Sequence, residues 1–178
     1  SYLASSTVVV EDEGTEVLCD PWLLDGAFYG AWAHYPPLEF EPDAYADVDY
    51  IYVSHDDPDH FHQPTMRQLD TDTPVLVPED ASRLTRAVEE LGFEAIELGN
   101  DDRTQLADDL YVTLFDGAGD DSRTGGDHVA PGWRPEPPTD RADPPTAVFD
   151  DGETVLVHAT DSQFPPAERA RSTIADRY

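Results

Sequence analysis

Lysine is absent from this sequence, and its ten basic residues are all arginine. There are 39 acidic residues, with aspartate outnumbering glutamate by 26 to 13, so the formal net charge is −29 and the isoelectric point is near 4.1. A surface of this charge repels phosphate backbones and anionic lipid headgroups. We therefore expect no nucleic-acid partner and no membrane partner.

The excess of short carboxylates also bears on the solvent in which the protein folds. Such side chains hold water and cations at molar salt, where the Debye length falls to about 3 Å and self-repulsion is screened. An acidic disordered tail would account for the charge differently, but here the acids are spread through apolar segments. The composition resembles that of proteins from salt-accumulating archaea, and we expect a halophilic protein.

Cysteine is nearly absent, because Cys19 is the only one. An internal disulfide is thereby excluded, and nothing points to an oxidising compartment. No run of about 18 apolar residues predicts a membrane span, and we expect a cytoplasmic protein. Residues 1–178 are long enough for a single domain with a core. The final residues fall within a helix-like segment, so we also expect the sequence to be part of a longer protein.

Short β-branched runs alternate with helical patterns along the chain, which predicts an α/β architecture. Strands are predicted at 7–10, 16–19, 49–54, 74–78, 94–98, 110–115, 146–149 and 154–157. Helices are predicted at 64–69 and 81–91, the second closed by Gly92. The stretch 116–145 is rich in glycine, proline and aspartate, and loops of that length are often functional.

The densest group of reactive side chains lies directly after the predicted strand 49–54. His55, Asp57, Asp59 and His60 fall within six residues. Imidazole and carboxylate together suit zinc, iron or manganese, and two such ions can share a bridging carboxylate. The spacing alone fits a solvated acidic loop equally well, because aspartate is common throughout this chain.

Three blocks of sequence resemble one family, and they follow one another in its order. Residues 49–61 (DYIYVSHDDPDHF) resemble the strand and metal loop of the metallo-β-lactamase superfamily, whose signature is His-x-His-x-Asp-His. Residues 17–23 (VLCDPWL) resemble its early strand ending in Asp-Pro-Trp-Leu, and 149–161 (FDDGETVLVHATD) resemble the strand pair ending in Gly-Asp-Thr.

The early block is common in one branch of that superfamily. The branch includes lactonases acting on ascorbate phosphate, phospholipase D-like hydrolases and sialic-acid hydroxylase-like proteins. The resemblance implies an α/β fold, a metallo-β-lactamase-like four-layer αββα sandwich, here lacking its carboxyl-terminal part. It also implies one or two divalent metal ions as cofactors, with zinc expected first and iron or manganese as alternatives.

Carried over position by position, the resemblance implies a ligand set. His55 and Asp57 would serve a first metal, Asp59 and His60 a second, and Asp161 would bridge them. Asp57 departs from the signature, because it replaces a histidine with a hard anionic oxygen that favours ferrous iron or manganese. The flavodiiron branch also has a carboxylate, glutamate, at this position. Decay of the first site is the alternative interpretation.

Two further ligands are less well defined by the resemblance. The third ligand of the first site should follow the strand 110–115, where His128 is the preferred candidate. The carboxylates of Asp116, Asp120 and Asp121 are the alternatives. The last histidine of the second site normally comes after the bridging aspartate, and no histidine follows Asp161 here. We expect that ligand to be absent or to lie outside this sequence.

The remaining histidines have less direct interpretations. We interpret His158 as a buried, hydrogen-bonded strand residue in preference to a metal ligand. His62, one residue beyond Phe61, is interpreted as a neighbour of the ligands or a rim residue. His34 lies with several aromatic residues in the loop 25–37, which relatives use to wall the pocket, although aromatic clusters more often serve packing.

The leading functional hypothesis is hydrolysis of a small-molecule ester, lactone or phosphodiester by metal-activated water. Asp59 would orient or deprotonate that water, as the resemblance implies. An anionic substrate would need local positive charge, for which Arg123, Arg134 and Arg141 are candidates, although salt-tolerant surface positions explain them as well. A diiron redox or hydroxylase-type domain and a non-catalytic domain with a degenerate site are the alternatives.

Overall fold

The computed structural model describes residues 1–39, 41–115 and 144–161. In this part of the chain the strands form two sheets. The first sheet contains, in spatial order, β1 (Tyr2–Ala4), β2 (Thr7–Asp12), β3 (Thr15–Cys19), β4 (Tyr50–Tyr52), β5 (Val75–Pro78) and β6 (Ala95–Leu98). The second contains β7 (Arg103–Gln105), β8 (Tyr111–Phe115), β9 (Thr146–Asp150) and β10 (Val155–His158).

Helices are short in the described residues. They are α1 (Ala27–Gly30), α2 (Gln63–Met66) and α3 (Ser82–Glu90), with a single 3-10 turn at Pro42–Tyr45. In α2, proline is the second residue, a position where its missing N–H is not needed. After α3, Gly92 has φ 98°, a conformation that glycine adopts without strain. None of these helices is long and apolar enough to cross a lipid bilayer.

The direction of the strands in the first sheet sets the position of the site. Strands β1 to β3 are antiparallel, whereas β3, β4, β5 and β6 run parallel to one another. Parallel neighbours end at the same edge of a sheet. The residue after β3, Asp20, therefore lies beside the end of β4, and its backbone N–H donates to Tyr52 O at 2.8 Å.

Alternation along the central strands fills two separate cores. On one face, Leu18, Ile51 and Val75 pack with residues of α2 and α3, such as Met66 and Leu84. The intervening positions of the same strands point to the second sheet and form the other core. That second core contains Val17, Cys19, Tyr52, Leu76, Leu98, Leu110, Val112, Leu114, Ala147 and Phe149.

The described layers are therefore helix, sheet and sheet, in agreement with the predicted sandwich. The predicted sandwich has a fourth layer, of helices, outside the second sheet. Residues 1–39, 41–115 and 144–161 contribute no helix to that layer. The predicted strands are present, and both predicted helices are present as α2 and α3, although α2 ends at Met66, earlier than predicted. Strand β7 was not predicted, because its sequence Arg-Thr-Gln has no apolar alternation.

Candidate metal centre

The loop that follows β4 folds back on itself and brings two histidines together. The backbone N–H groups of His60 and Phe61 donate to Asp57 O at 2.9 and 2.8 Å, which closes the turn. Phe61 is buried in the helix-side core and anchors the end of the loop. The rings of His55 and His60 consequently lie 4.1 Å apart between centroids.

A third side chain reaches the same place from the second sheet. Asp161 lies three residues beyond the end of β10, and its Oδ2 is 3.8 Å from His55 Nε2 and 3.7 Å from His60 Nε2. Ligand atoms of these three residues all lie within 4.8 Å of one another. The predicted convergence of Asp161 with the histidine loop is therefore confirmed.

Each of the two histidines also faces one aspartate of the same loop. Asp57 Oδ2 is 3.3 Å from His55 Nε2, and Asp59 Oδ2 is 3.7 Å from His60 Nε2. The two histidine–aspartate pairs lie on either side of the Asp161 carboxylate. This geometry has the pairing that the resemblance implied, and ligation of metal by these five residues stays a prediction.

Beneath the pair of histidines lies the fully buried carboxylate of Asp20. Its Oδ1 accepts the backbone N–H of Ser54 at 2.7 Å, and its Oδ2 accepts the Ser54 hydroxyl at 2.9 Å. Oδ2 also lies 3.1 Å from His60 Nδ1 and 2.9 Å from His158 Nε2. Burial by itself would raise the pKa of Asp20, but the hydrogen bonds from His158 and His60 hold that pKa well below its usual range.

This network assigns the tautomers of both candidate ligands. Because an ionised Asp20 accepts only, His60 Nδ1 must donate to it, which leaves the lone pair on Nε2. The single proton of the Ser54 hydroxyl is directed to Asp20. His55 Nδ1, which lies 2.9 Å from Ser54 Oγ, must therefore donate to that oxygen. Both Nε2 lone pairs then point toward Asp161.

The arrangement fits a cation. His55 Nε2 is buried and forms no hydrogen bond with any described residue, although it faces the carboxylates of Asp57 and Asp161. A lone pair directed at carboxylate oxygens is repulsive unless a positive charge lies between them. A proton is a poor candidate, because burial and the neighbouring charge of His60 lower the pKa of His55 despite the opposing effect of three carboxylates.

The second histidine has the opposite electrostatic balance. Burial acts to lower the pKa of His60, but the hydrogen bond to Asp20 and the charges of Asp20, Asp59 and Asp161 raise it overall. A site that stabilises a proton on His60 also stabilises a metal cation there, because both bring positive charge to Nε2. The donors, two imidazoles and carboxylates, suit zinc, iron or manganese.

Other residues near the loop have structural roles. Asp56 points away from the cluster, with its Oδ2 3.5 Å from Arg83 of α3. His62 is buried, with Nδ1 2.9 Å from Thr65 Oγ1, and His34 Nε2 lies 3.0 Å from Trp22 O. His158 is a buried, hydrogen-bonded strand residue, as predicted.

An open cleft of about 420 Å³ adjoins the cluster. Asp59, His60 and Asp161 line one side, and the turn between β1 and β2 contributes Ser5 and Ser6. The Ser6 hydroxyl donates to Asp59 O at 3.3 Å, which ties this turn to the histidine loop. The cleft gives a small molecule access to the carboxylate oxygens that face the histidines.

Several predicted residues lie outside the described residues. They are the third-ligand candidates His128, Asp116, Asp120 and Asp121, and the candidate cations Arg123, Arg134 and Arg141. Conversely, no sequence pattern indicated a role for Asp20 or Ser54. Asp20 lies in the block 17–23, which resembles the family's early strand. Its position directly after the buried strand β3 was the signal that could have marked it as part of the site.

Comparison with known proteins identifies the fold that carries this site. The family model described as a beta-lactamase superfamily domain matches residues 15–176. The match includes β3, the histidine loop and the strands leading to Asp161. The chain belongs to the metallo-β-lactamase superfamily.

Two kinds of relatives match part of the chain by sequence. A protein of Mycolicibacterium smegmatis, provisionally named a Rieske 2Fe-2S iron–sulfur protein, is 38% identical over 88 residues, which are 48% of this chain and 17% of that protein. Cytidine monophosphate-N-acetylneuraminic acid hydroxylase of Asterias rubens is 28% identical over 99 residues, 53% of this chain and 15% of the hydroxylase. The chain thus spans under a fifth of the length of either relative.

Solved structures share the fold at low sequence identity. A possible metal-dependent hydrolase from Veillonella parvula matches with a TM-score of 0.67 at 16% identity, over 96% of this chain and 66% of that one. CmlA, a diiron β-hydroxylase from Streptomyces venezuelae, matches with a TM-score of 0.63 at 18% identity, over 97% of this chain and 32% of that one. At such identities the likeness concerns the fold alone.

Proposed function

We propose that this chain forms the active centre of a metal-dependent hydrolase. The observation that carries the proposal is the pair of Nε2 atoms on His55 and His60: the first faces Asp57, the second faces Asp59, and both face Asp161. His55 and Asp57 would hold a first divalent ion, Asp59 and His60 a second, and Asp161 would contact both. We expect zinc first, with iron or manganese as alternatives.

The divalent ion would supply a Lewis acid that polarises the scissile bond and makes water acidic enough to attack at neutral pH. The residues of the chain supply orientation and proton transfer. Ser54 and Asp20 hold the histidine rings through their Nδ1 atoms, so that the Nε2 atoms stay directed at the cleft. Asp59, beside His60 at the cleft wall, would orient the attacking water and accept its proton on Oδ2.

The substrate that we propose is a small ester, lactone or phosphodiester. The cleft beside Asp161 is open to solvent and of a size for a small molecule. The strongly negative charge of the chain disfavours an anionic substrate unless the metals or Arg123, Arg134 and Arg141 offset it. A cytoplasmic location and a halophilic source also remain parts of this proposal.

Elemental analysis joined to a hydrolysis assay tests the proposal. The protein is purified in molar potassium chloride without chelator, and its bound zinc, iron and manganese are measured. Hydrolysis of a p-nitrophenyl ester, a lactone and bis-p-nitrophenyl phosphate is then followed. We expect bound metal and metal-dependent hydrolysis of at least one substrate. Asp161→Asn should bind metal more weakly and lose hydrolysis, while Asp56→Asn, which removes the same charge from the histidine loop, should keep both metal binding and hydrolysis.

A second candidate function is a diiron hydroxylase or redox domain. The observation that favours it is the carboxylate of Asp57 beside His55, since an added carboxylate suits iron, and the names of two similar proteins point the same way. Bound iron in place of zinc, together with no hydrolysis of the three test substrates, would favour this candidate. A purified protein that binds no metal would instead indicate a non-catalytic domain.

A further inference from the structure

His158 occupies an unusual place for a residue outside the predicted ligand set. It ends β10, opposite Ala147 of β9, and its side chain is buried against the edge of the Tyr52 ring, with 6.0 Å between ring centroids. From there its Nε2 reaches Asp20 Oδ2 at 2.9 Å. This hydrogen bond joins the second sheet to the first directly beneath the two candidate histidine ligands.

The same carboxylate oxygen is the partner of His60 Nδ1. Asp20 Oδ2 therefore has one histidine from the metal loop on one side and one from β10 on the other. Because an ionised Asp20 only accepts, His158 must donate its Nε2 proton to it. His158 itself is not directed at the candidate metal position, since its hydrogen-bonding nitrogen faces Asp20.

Asp161 lies three residues along the chain from this hydrogen bond. The segment after β10 reaches the cluster within three residues, and the side chain of Asp161 is 61% exposed. A second contact, 3.4 Å between Thr160 Oγ1 and Ser54 Oγ, supports the same segment, but it lies at the upper limit for a hydroxyl pair. The contact from His158 is shorter and buried, and it connects this segment to Asp20, which in turn contacts His60 of the histidine loop.

We propose that His158 is a positioning residue of the metal centre: its hydrogen bond to Asp20 holds the end of β10 so that Asp161 meets His55 and His60. The inference rests on the proposed function, since it assigns a role in holding the metal. It adds to that function a residue outside the predicted ligand set, which acts on the metal through Asp161.

Two amide substitutions of the full chain provide a matched test. His158→Gln places an amide N–H near the position of the histidine Nε2 and can still donate to Asp20. His158→Asn carries the same amide group nearer the backbone and cannot reach. We expect Asn to weaken Zn²⁺ binding by about 10- to 100-fold, as removal of supporting partners does at other metal sites, and Gln to stay close to wild type. Zn²⁺ dissociation constants are measured by chelator competition in molar potassium chloride.

The dependence on Asp161 is tested by a double-mutant cycle. In an Asp161→Asn background, His158→Asn should change Zn²⁺ affinity little, because the group that it positions no longer binds. An undiminished effect in that background would overturn the proposal and leave His158 acting through Asp20 and His60 alone. Melting temperatures of the metal-free variants, followed by circular dichroism, separate loss of folding from loss of affinity.

The remaining outcomes are also decisive. Equal Zn²⁺ affinities for wild type, Gln and Asn variants would overturn the positioning role while leaving the proposed function intact. If wild type itself binds no divalent metal, the proposed function fails and this inference fails with it. A loss of affinity in the Gln variant as large as in the Asn variant would contradict the hydrogen bond as the cause.

Discussion

Asp20 shows how one residue outside a metal-ligand motif can organise the residues within it. Its carboxylate accepts hydrogen bonds from Ser54 and His60, in the segment after β4, and from His158 at the end of β10. The backbone of Asp20 has φ 45°, in the left-handed region that aspartate tolerates better than most residues. A buried carboxylate with this many donors is stable only in its charged form.

Replacing Asp20 by asparagine should disturb both the fold and the metal centre. An amide N–H₂ group in place of Oδ2 would face the donors of His60 and His158, so at least one buried donor would lose its partner. We expect the metal-free protein to lose about 1–3 kcal/mol of unfolding free energy, measured by urea denaturation in molar potassium chloride. Zn²⁺ affinity should fall by about 10- to 100-fold.

Asp49→Asn is a useful control for that change. Asp49 accepts the backbone N–H of Glu16 through its side chain at 2.9 Å, in a more exposed part of the same sheet. Asp49→Asn also removes one negative charge, but Asp49 contacts no residue of the candidate metal centre. Unchanged Zn²⁺ affinity in the Asp20 variant would show that the carboxylate has only a structural role.

The departure of Asp57 from the family signature leads to a second prediction at the residue scale. Asp57→His would restore an imidazole beside His55, where the carboxylate now lies 3.3 Å from Nε2. Imidazole suits zinc while carboxylate suits harder ions, so we expect a higher ratio of bound zinc to iron than in wild type. Metal content is measured by elemental analysis after loading from mixed metals in molar salt.

Asp56→His is the matched control, because it removes one carboxylate from the same loop. The Asp56 side chain is directed at Arg83 of α3 and away from the cluster. Losing that exposed ion pair should affect stability little. If the Asp56 and Asp57 variants take up equal zinc, position 57 is not a ligand and the first site has decayed.

At the scale of elements, α3 illustrates how periodicity alone identifies a packed face. Leu84 and Val88, four residues apart, are buried against the first sheet, while Arg83, Glu89 and Glu90 are exposed. Apolar residues at this spacing lie on one face of a helix. The prediction of a helix ending before Gly92 needed nothing more than this pattern and a residue that tolerates positive φ.

Leu84→Ala should therefore destabilise the fold without altering the metal centre. Leu84 is 1% exposed within the helix-side core, and truncation of such a side chain costs about 2–5 kcal/mol. Urea denaturation in molar potassium chloride measures the change, with Glu89→Ala on the exposed face of the same helix as the neutral comparison. A cost for Leu84→Ala no larger than for Glu89→Ala would mean that α3 does not pack as described.

The metal centre depends on a different element-scale property, the direction of neighbouring strands. Because β3 and β4 are parallel, Asp20 and the histidine loop emerge at one edge of the sheet. The second sheet contributes β10, whose end adds His158 and, beyond it, Asp161. Ligands on the ends of rigid strands are held more accurately than ligands within a free loop.

For the whole molecule, the dominant physical property is charge. A net charge of −29 with no lysine produces strong self-repulsion when screening is weak. We predict that the domain loses structure at very low salt and regains it in molar potassium chloride, because the Debye length shortens from about 30 Å at 0.01 M to about 3 Å at 1 M. Far-ultraviolet circular dichroism across that range provides the measurement.

Sodium chloride and a non-ionic osmolyte separate the causes of such a change. Screening predicts recovery with either salt, whereas stabilisation by surface exclusion predicts recovery with sucrose as well. A spectrum that stays the same from very low to molar salt would show that the acidic composition is no adaptation to salt.

The sequence by itself determined most of the strands, the longer helix and the positions of the candidate ligands. Alternation of apolar residues identified the buried strands, and the spacing of His55, Asp57, Asp59 and His60 marked the loop after β4. The block around Asp161 supplied the third element of the site. These features are local, so a pattern of a few residues is enough to encode them.

Only the tertiary structure decided how these segments meet. The hydrogen bonds of Asp20 to Ser54, His60 and His158 span 34, 40 and 138 positions in the chain. Whether such distant groups come within hydrogen-bonding distance depends on strand order, strand direction and the packing of one sheet on another, which no local pattern specifies. The tautomers of His55 and His60, and hence their capacity to bind a metal through Nε2, follow from those contacts.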